Sequence, residues 1–127
     1  MDTRILLVDD EDSLRALMRR YLERLGYQVD ACATAAEAWE SFGARGGEYV
    51  LAIVDLVLPD TRGEDLVRGL AGANGALPFI VCSGAAEAPA ELEPLANCRF
   101  LRKPFVPHTL AATVRAAVAG HSPAAQA

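Results

Sequence analysis

Four short stretches of the 127-residue sequence carry side chains that could do chemistry together. Asp9 and Asp10 follow one apolar run, Asp55 ends another, and Ser83 and Lys103 follow two more. Crowded carboxylates repel one another and perturb their own pKa values, and a hard divalent cation relieves that repulsion. Oxygen ligands of this kind suit Mg²⁺, which usually takes one or two carboxylates together with a phosphate. The residue types therefore predict a magnesium site that handles a phosphoryl group.

The other two side chains suit the same chemistry. Lys103 can pair with a phosphoryl oxygen as a point charge, the Ser83 hydroxyl can donate to another, and the backbone amide after Asp55 can donate to a third. No glycine-rich phosphate loop is present, so a nucleotide is a poor candidate for the phosphoryl donor. The set contains no better nucleophile than a carboxylate, so we expect a carboxylate to attack phosphorus and form an acyl phosphate.

Apolar runs and turn residues predict the alternating strands and helices that position these side chains. Gly26 is expected to end the first helix, and Thr34 with Glu37 forms a capping-box signature at the start of the second. Pro89 and Pro94 each break a helix interior, so residues 85–97 are expected to hold at best one poor helix. The strands are predicted at residues 4–8, 27–32, 50–55, 78–82 and 98–101, and the other helices at residues 14–25, 34–42, 64–70 and 107–120.

This pattern is a βα unit repeated five times, which predicts an α/β fold with a doubly wound, five-stranded parallel sheet. Right-handed crossovers leave few topologies, and the flavodoxin-like order 2-1-3-4-5 is the common solution for five strands. Its switch point lies between the first and third strands, so Asp9 and Asp10 are expected beside Asp55. Ser83 and Lys103 follow the fourth and fifth strands, at the same carboxyl edge.

The helices should present apolar faces to the sheet and charged faces to water. The second helix is expected to bury Ala38, Trp39 and Phe42. The default interpretation of the first helix's basic residues is a solvated face formed by Arg15, Arg19, Arg20 and Arg24.

Composition excludes several classes of protein. The chain is 52% apolar and 23% charged, which is typical of a globular domain rather than a disordered chain. No apolar run approaches the ~18 residues of a membrane helix, and the net charge of −5 argues weakly against direct binding to nucleic acid. Cys32, Cys82 and Cys98 lack metal-ligand spacing, so we expect small core residues in a reducing cytoplasm. We expect one domain at residues 1–120 and a disordered tail at residues 121–127.

Taken together, these residues resemble the receiver domain of two-component response regulators. The resemblance covers residues 4–119, and each motif alone is weak, whereas all of them in order on five βα units are highly specific. The motifs are Asp9-Asp10, Asp55 with Pro59 and Gly63, Ser83, and Lys103-Pro104-Phe105.

The resemblance implies a phosphorylated signalling switch rather than a conventional enzyme. Asp55 would accept a phosphoryl group from a phosphohistidine of a histidine kinase or phosphotransfer protein, and the same site would slowly lose it to water. Asp10 would bind Mg²⁺ directly, Asp9 mainly through water, and Asp55 and the backbone carbonyl of Val57 would complete the protein ligands. Lys103 would pair with the phosphoryl group across a Lys-Pro bond that is typically cis in this family.

The switch itself is implied to involve two further side chains. Ser83 would shift toward the phosphoryl group, and Phe100 would turn inward to fill the vacated space. Each residue also has an ordinary structural interpretation. Asp9 and Asp10 could favour a helix N-terminus, Ser83 could be a cap, Lys103 could be solvated, and Phe100 could simply pack against the last helix. The side chains of Val57 and Ala85 cannot orient an attacking water, so we expect a long-lived phosphoryl group.

Two other functions remain in competition with the phosphorylated switch. One is a protein-binding module of the same fold that works without phosphorylation, against which the intact acidic set, Asp55, Ser83 and Lys103 argue. The other is an aspartyl phosphatase, which is disfavoured because Val57 stands where such enzymes carry a second acid. No output domain follows residue 120, so we expect a stand-alone receiver or a piece of a hybrid kinase, acting on an unidentified downstream protein.

Overall fold

A five-stranded parallel sheet forms the centre of the computed structural model, which describes residues 3–95 and 97–121. The strands lie in the order β2-β1-β3-β4-β5, which confirms the predicted α/β topology. The strands are β1 (Arg4–Val8), β2 (Gln28–Cys32), β3 (Tyr49–Asp55), β4 (Phe79–Ser83) and β5 (Cys98–Arg102). The α-helices among the described residues are α1 (Asp12–Arg24), α2 (Ala35–Arg45), α3 (Gly63–Ala73) and α4 (Pro107–His121).

The sheet separates two apolar clusters, because successive side chains of a strand point to opposite faces. In β3, Leu51 and Ile53 belong to the cluster covered by α1 and α4, whereas Ala52 and Val54 belong to the cluster covered by α2 and α3. Both faces of the central strands are therefore buried, which explains why their sequences are continuous apolar runs.

Two helix ends follow the predicted local chemistry. Gly26 lies just beyond α1 with φ of 102°, and its amide and that of Tyr27 donate to carbonyls of the last helical turn. At the start of α2, the Thr34 hydroxyl accepts from the Glu37 amide at 3.1 Å. The Glu37 carboxylate in turn accepts from the Ala33 amide at 2.8 Å, so these two side chains satisfy one amide in the first turn of α2 and one just before it.

The prediction that Trp39 is buried is wrong. Ala38 is fully buried and Phe42 is half-buried, but 42% of Trp39 is exposed. The indole lies over Gly69 of α3, where an added Cβ would contact it, so it bridges the two helices instead of entering the sheet. Helix α2 also runs three residues beyond the predicted end at Phe42.

The fourth βα unit is incomplete, because no α-helix follows β4 among the described residues. Between β4 and β5, the described residues contain only a 3₁₀ turn at Ala90–Leu92. Pro89 precedes this turn and Pro94 follows it, so the chain cannot extend it into an α-helix. Leu92 is nevertheless buried against the sheet, so this short turn covers part of the surface that a helix would cover.

The cysteines behave as the predicted core residues. Cys32 and Cys82 are buried, Cys98 is half-buried, and all three are free thiols. Burial raises the pKa of Cys82 to about 12 and that of Cys98 to about 11, so both stay protonated at neutral pH. None of the helices in the described part of the chain is long and apolar enough to cross a membrane. Helix α4 includes His121, and the rest of the predicted tail lies outside the described residues.

Candidate metal centre

The register of the parallel strands brings the predicted site residues to one edge of the sheet. Asp55, the last residue of β3, pairs with Cys82, and Ser83 is the last residue of β4. Asp9 and Lys103 directly follow β1 and β5 at the same carboxyl edge. Four separate strands thus place the predicted site residues at the carboxyl edge of the sheet, which we call the rim. Strand order 2-1-3-4-5 requires this placement.

Three carboxylates meet at this rim. Asp9, Asp10 and Asp55 each offer an oxygen atom, and these atoms lie within 4.8 Å of one another. Asp9 and Asp55 are only 1% and 5% exposed, whereas Asp10 is open to solvent. Lys103 Nζ donates to Asp9 Oδ2 at 3.2 Å and to Asp55 Oδ2 at 3.0 Å. One ammonium group therefore pairs with two of the three carboxylates, so its single positive charge cannot balance all three.

Burial and the ion pairs act against each other in this cluster. Burial raises the pKa of the Asp9 carboxyl above its ordinary value, although the Glu11 amide and the Lys103 ammonium oppose this rise. Burial alone would lower the pKa of Lys103. The hydrogen bond to Asp55 and the charges of Asp9 and Asp55 outweigh it and hold that pKa above its ordinary value. Lys103 is therefore a fixed positive charge at neutral pH.

These donors fit a hard divalent cation. All three side chains offer carboxylate oxygens, the ligands that Mg²⁺ prefers, and a cation would offset the charge that Lys103 leaves uncompensated. Two of the oxygens are already oriented, because Asp9 Oδ1 accepts from the Glu11 amide and Asp55 Oδ1 accepts from the Val57 amide. The second of these bonds holds the backbone of Val57, the predicted carbonyl ligand, against the Asp55 carboxylate.

Ser83 lies at the end of β4, one strand from Asp55. It is 9% exposed, and its hydroxyl oxygen accepts from the Ala85 amide at 3.0 Å. Its carbonyl accepts from the Lys103 amide at 2.7 Å, so the serine and the lysine are joined through the backbone. Since the hydroxyl is the acceptor in its bond to Ala85, its own proton stays free to donate to a new partner.

Phe100 does not pack against the last helix, so that ordinary interpretation is wrong. Side chains alternate along β5, and Leu101 enters the cluster under α4 while Phe100 packs on the opposite face. There the ring borders a cavity of about 140 Å³ that Val81 and Leu92 also line. The incomplete fourth unit thus leaves open space beside the aromatic ring.

Two residues beside the site were missed by sequence reasoning. Arg15 was assigned to a solvated face, but it donates to the Asp9 carbonyl at 2.9 Å and to Asp12 at 2.7 Å, so it holds the acidic loop. Asp60 accepts from the amides of Ala35 and Ala36, which begin α2. The residue type shows that an aspartate can cap a helix. The sequence does not show which helix, because the residue that Asp60 caps lies 25 positions earlier in the chain.

Comparison with known proteins assigns the family. The model described as "Response regulator receiver domain" matches residues 5–115. The chain belongs to this family. The receiver domain has the cis Lys103–Pro104 bond that the family resemblance implied.

Relatives of the receiver domain include both kinases and regulators. It is 38% identical over 117 residues to the sensor kinase CckA of Brucella abortus, covering 87% of this chain and 12% of the kinase. It is 35% identical over 115 residues to the response regulator RppA of Synechocystis, covering 89% and 49%. The chain thus spans half or less of the length of these curated relatives.

Solved structures agree with this assignment. The receiver domain of the hybrid histidine kinase CckA has a TM-score of 0.79 and 31% identity, covering 91% of this chain and 98% of that one. A CheY-like receiver from Methanospirillum hungatei has a TM-score of 0.87, covering 95% and 97%, but only 24% identity, so it supports the fold alone.

Proposed function

We propose that Asp55 is a phosphoacceptor whose modification changes the binding of a protein partner. The observation that carries this proposal is the placement of Lys103 between the Asp9 and Asp55 carboxylates at the carboxyl edge of the sheet. A carboxylate that is buried, oriented by a backbone amide and already paired with a fixed cation is suited to attack phosphorus. Similarity to the receiver domain of a hybrid kinase supports a histidine kinase or phosphotransfer protein as the donor.

The proposed step forms one bond and breaks one. A carboxylate oxygen of Asp55 bonds to phosphorus as the bond from phosphorus to the imidazole nitrogen of the donor breaks, and the nitrogen keeps the electron pair. Asp10 and Asp55, the Val57 carbonyl and, through water, Asp9 would hold Mg²⁺. When bound, that ion would neutralise charge on the phosphoryl oxygens. Lys103 supplies a second positive charge, which needs no rearrangement because it already contacts Asp55.

The phosphoryl group then biases a local switch. It adds negative charge beside Lys103 and offers new acceptor oxygens. We propose that the Ser83 hydroxyl shifts toward the phosphoryl group and donates its free proton to one of these oxygens. We also propose that the Phe100 ring moves into the space that the hydroxyl leaves. The cavity beside the ring supports this movement, since the open space lowers the packing cost of a second rotamer.

Acetyl phosphate tests the acceptor chemistry without a partner protein. The wild-type protein should gain a single phosphoryl increment in intact mass when Mg²⁺ is present and none when the ion is chelated. A folded protein that gains nothing under either condition would support a binding module that works without phosphorylation.

The free thiols of the cysteines support a cytoplasmic location, because the cytoplasm is reducing and keeps thiols from forming disulfides.

An exposed apolar surface beside the rim suits the phosphohistidine donor. Leu17 on α1 is 58% exposed, and Val106, just before α4, is 60% exposed. A small depression of about 40 Å³ is lined by Leu17, Tyr21 and Phe105 among other mainly apolar side chains, and it includes Pro107, the residue after Val106. This surface adjoins the loops that carry Asp9 and Lys103, so a helical protein docked there would reach the acceptor. We propose that it binds the donor.

Leu17→Asp should slow phosphorylation by a phosphohistidine protein but not phosphorylation by acetyl phosphate. The introduced charge would lie in the docking surface, so transfer from a phosphohistidine protein should fall by roughly tenfold or more. The rate of phosphorylation by acetyl phosphate should stay within about twofold of the wild-type rate, because most surface substitutions have small effects. Ala44→Asp on α2, across the sheet, is the matched control and should affect neither source. Equal losses from both sources in Leu17→Asp would contradict the docking assignment.

Val57 is expected to prolong the phosphorylated state. Its side chain is 71% exposed two residues after Asp55, and it has no polar atom to orient an attacking water. Val57→Glu should therefore shorten the lifetime of the phosphoryl group, by roughly tenfold if the carboxylate acts as a general base. Intact mass followed over time after removal of acetyl phosphate measures the decay. Val57→Leu is the control, and identical decay in all three proteins would count against this role.

A further inference from the structure

Asp60 links the acceptor loop to a helix that comes earlier in the chain. The loop runs over residues 56–62, between Asp55 and α3. Asp60 Oδ1 accepts from the Ala35 amide at 3.0 Å, and Oδ2 accepts from the Ala36 amide at 2.9 Å. Each carboxylate oxygen thus serves a different orphan amide at the start of α2, where a negative charge is also favoured by the helix dipole.

The middle of this loop has few other attachments. Leu56 and Gly63 are buried at its two ends, but Val57, Pro59 and Arg62 are exposed. Leu58 is only half-buried, and the ion pair from Arg62 to Glu91 lies at the surface, where such pairs add little. Val57 itself is tied to Asp55 through its amide and to Arg62 through a β-bridge, both nearby in the chain. The two hydrogen bonds of Asp60 instead tie the middle of the loop to a distant element, α2.

We propose that Asp60 is a positioning residue that fixes the acceptor loop, and with it the backbone of Val57, for cation binding. This inference rests on the proposed function, since it assigns the Val57 carbonyl as a ligand. Groups that orient metal ligands from behind commonly change metal affinity by a factor of ten or more when removed. The same contacts lower the pKa of the Asp60 carboxyl, so it stays ionised as an acceptor near neutral pH.

Thr34 offers a matched control for the loss of a helix cap. Its hydroxyl accepts from the Glu37 amide at the same end of α2, but it does not belong to the acceptor loop. Thr34→Ala and Asp60→Ala should both weaken the start of α2. Only Asp60→Ala should release the loop. Asp60→Asn keeps one side-chain acceptor and should give an intermediate effect.

The test is a titration with MgCl₂ followed by amide NMR, combined with hydrogen exchange. Asp60→Ala should raise the dissociation constant for Mg²⁺ roughly tenfold, whereas Thr34→Ala should stay within about twofold. Without any ion, the Val57 amide should exchange faster in Asp60→Ala than in Thr34→Ala. The Ala35 amide should also exchange faster mainly in Asp60→Ala, because that variant removes its hydrogen-bond acceptor.

The outcomes separate the two proposals. Equal Mg²⁺ affinity in Asp60→Ala and wild type, or equal weakening in both alanine variants, would overturn the positioning role. A wild-type protein that binds no Mg²⁺ would instead overturn the proposed cation site. Faster exchange at Val57 would then still support the structural link between Asp60 and the loop, because that measurement needs no ion.

Discussion

Asp55→Asn is expected to eliminate phosphorylation while leaving the protein folded. An asparagine side chain has the same shape but lacks the anionic oxygen that attacks phosphorus, so the rate should fall by at least about 1,000-fold. Asparagine keeps one acceptor oxygen, which can serve either Lys103 or the Val57 amide but not both. The removal of one of three mutually repelling carboxylates offsets this loss. The free energy of unfolding should therefore stay within about 1 kcal/mol of that of wild type.

Intact mass after incubation with acetyl phosphate and Mg²⁺, together with urea denaturation, measures both effects. Asp65→Asn provides the control, because Asp65 is an exposed carboxylate on α3 that pairs with Arg62 and Arg68. It should accept the phosphoryl group at the wild-type rate. A phosphoryl increment of wild-type size in Asp55→Asn would show that another residue is the acceptor.

Gly63→Ala is expected to destabilise the fold strongly. Gly63 is buried at the start of α3, and its amide donates to the Leu56 carbonyl at 3.0 Å. A Cβ at this position would overlap the carbonyl oxygen of Asp55 and the Cα of Leu56. Both atoms belong to the backbone, so no flexible side chain can move aside. We expect a loss of about 3 kcal/mol in the free energy of unfolding.

Gly72→Ala is the matched control on the same helix. Gly72 is exposed, and an added Cβ would meet nothing within 4 Å. Because alanine restricts the unfolded chain and favours helix, this change should stabilise the protein by about 0.5–1 kcal/mol. Urea denaturation followed by circular dichroism compares the two variants with wild type. Wild-type stability in Gly63→Ala would contradict the close approach of α3 to the acceptor strand.

The site could be predicted from the sequence because its geometry depends on strand order. Asp9, Asp55, Ser83 and Lys103 each follow or end an apolar run, and parallel strands bring such positions to one edge whatever the exact helix bounds. The sheet order and the helix ends at Gly26 and Thr34 were predictable for related reasons, since they depend on local patterns and on right-handed crossovers.

Contacts between distant elements could not be predicted in this way. Trp39 has the periodicity of a core residue, but Gly69 on α3 leaves room for the indole at the surface. Phe100 occupies a strand position whose face depends on the register of β5, which an apolar run does not define. Arg15 and Asp60 have ordinary surface residue types, and only the fold places them against Asp9 and the start of α2.

Chemical trapping of the phosphorylated residue tests the central claim most directly. Borohydride reduces an aspartyl phosphate to homoserine, and the tryptic peptide of residues 46–62 contains two aspartates, Asp55 and Asp60. After treatment with acetyl phosphate and Mg²⁺, fragment spectra should show homoserine at residue 55 and unmodified aspartate at residue 60. Homoserine at Asp9, Asp10 or Asp60, or none in a protein that carries the phosphoryl increment, would contradict the assignment of Asp55 as the acceptor.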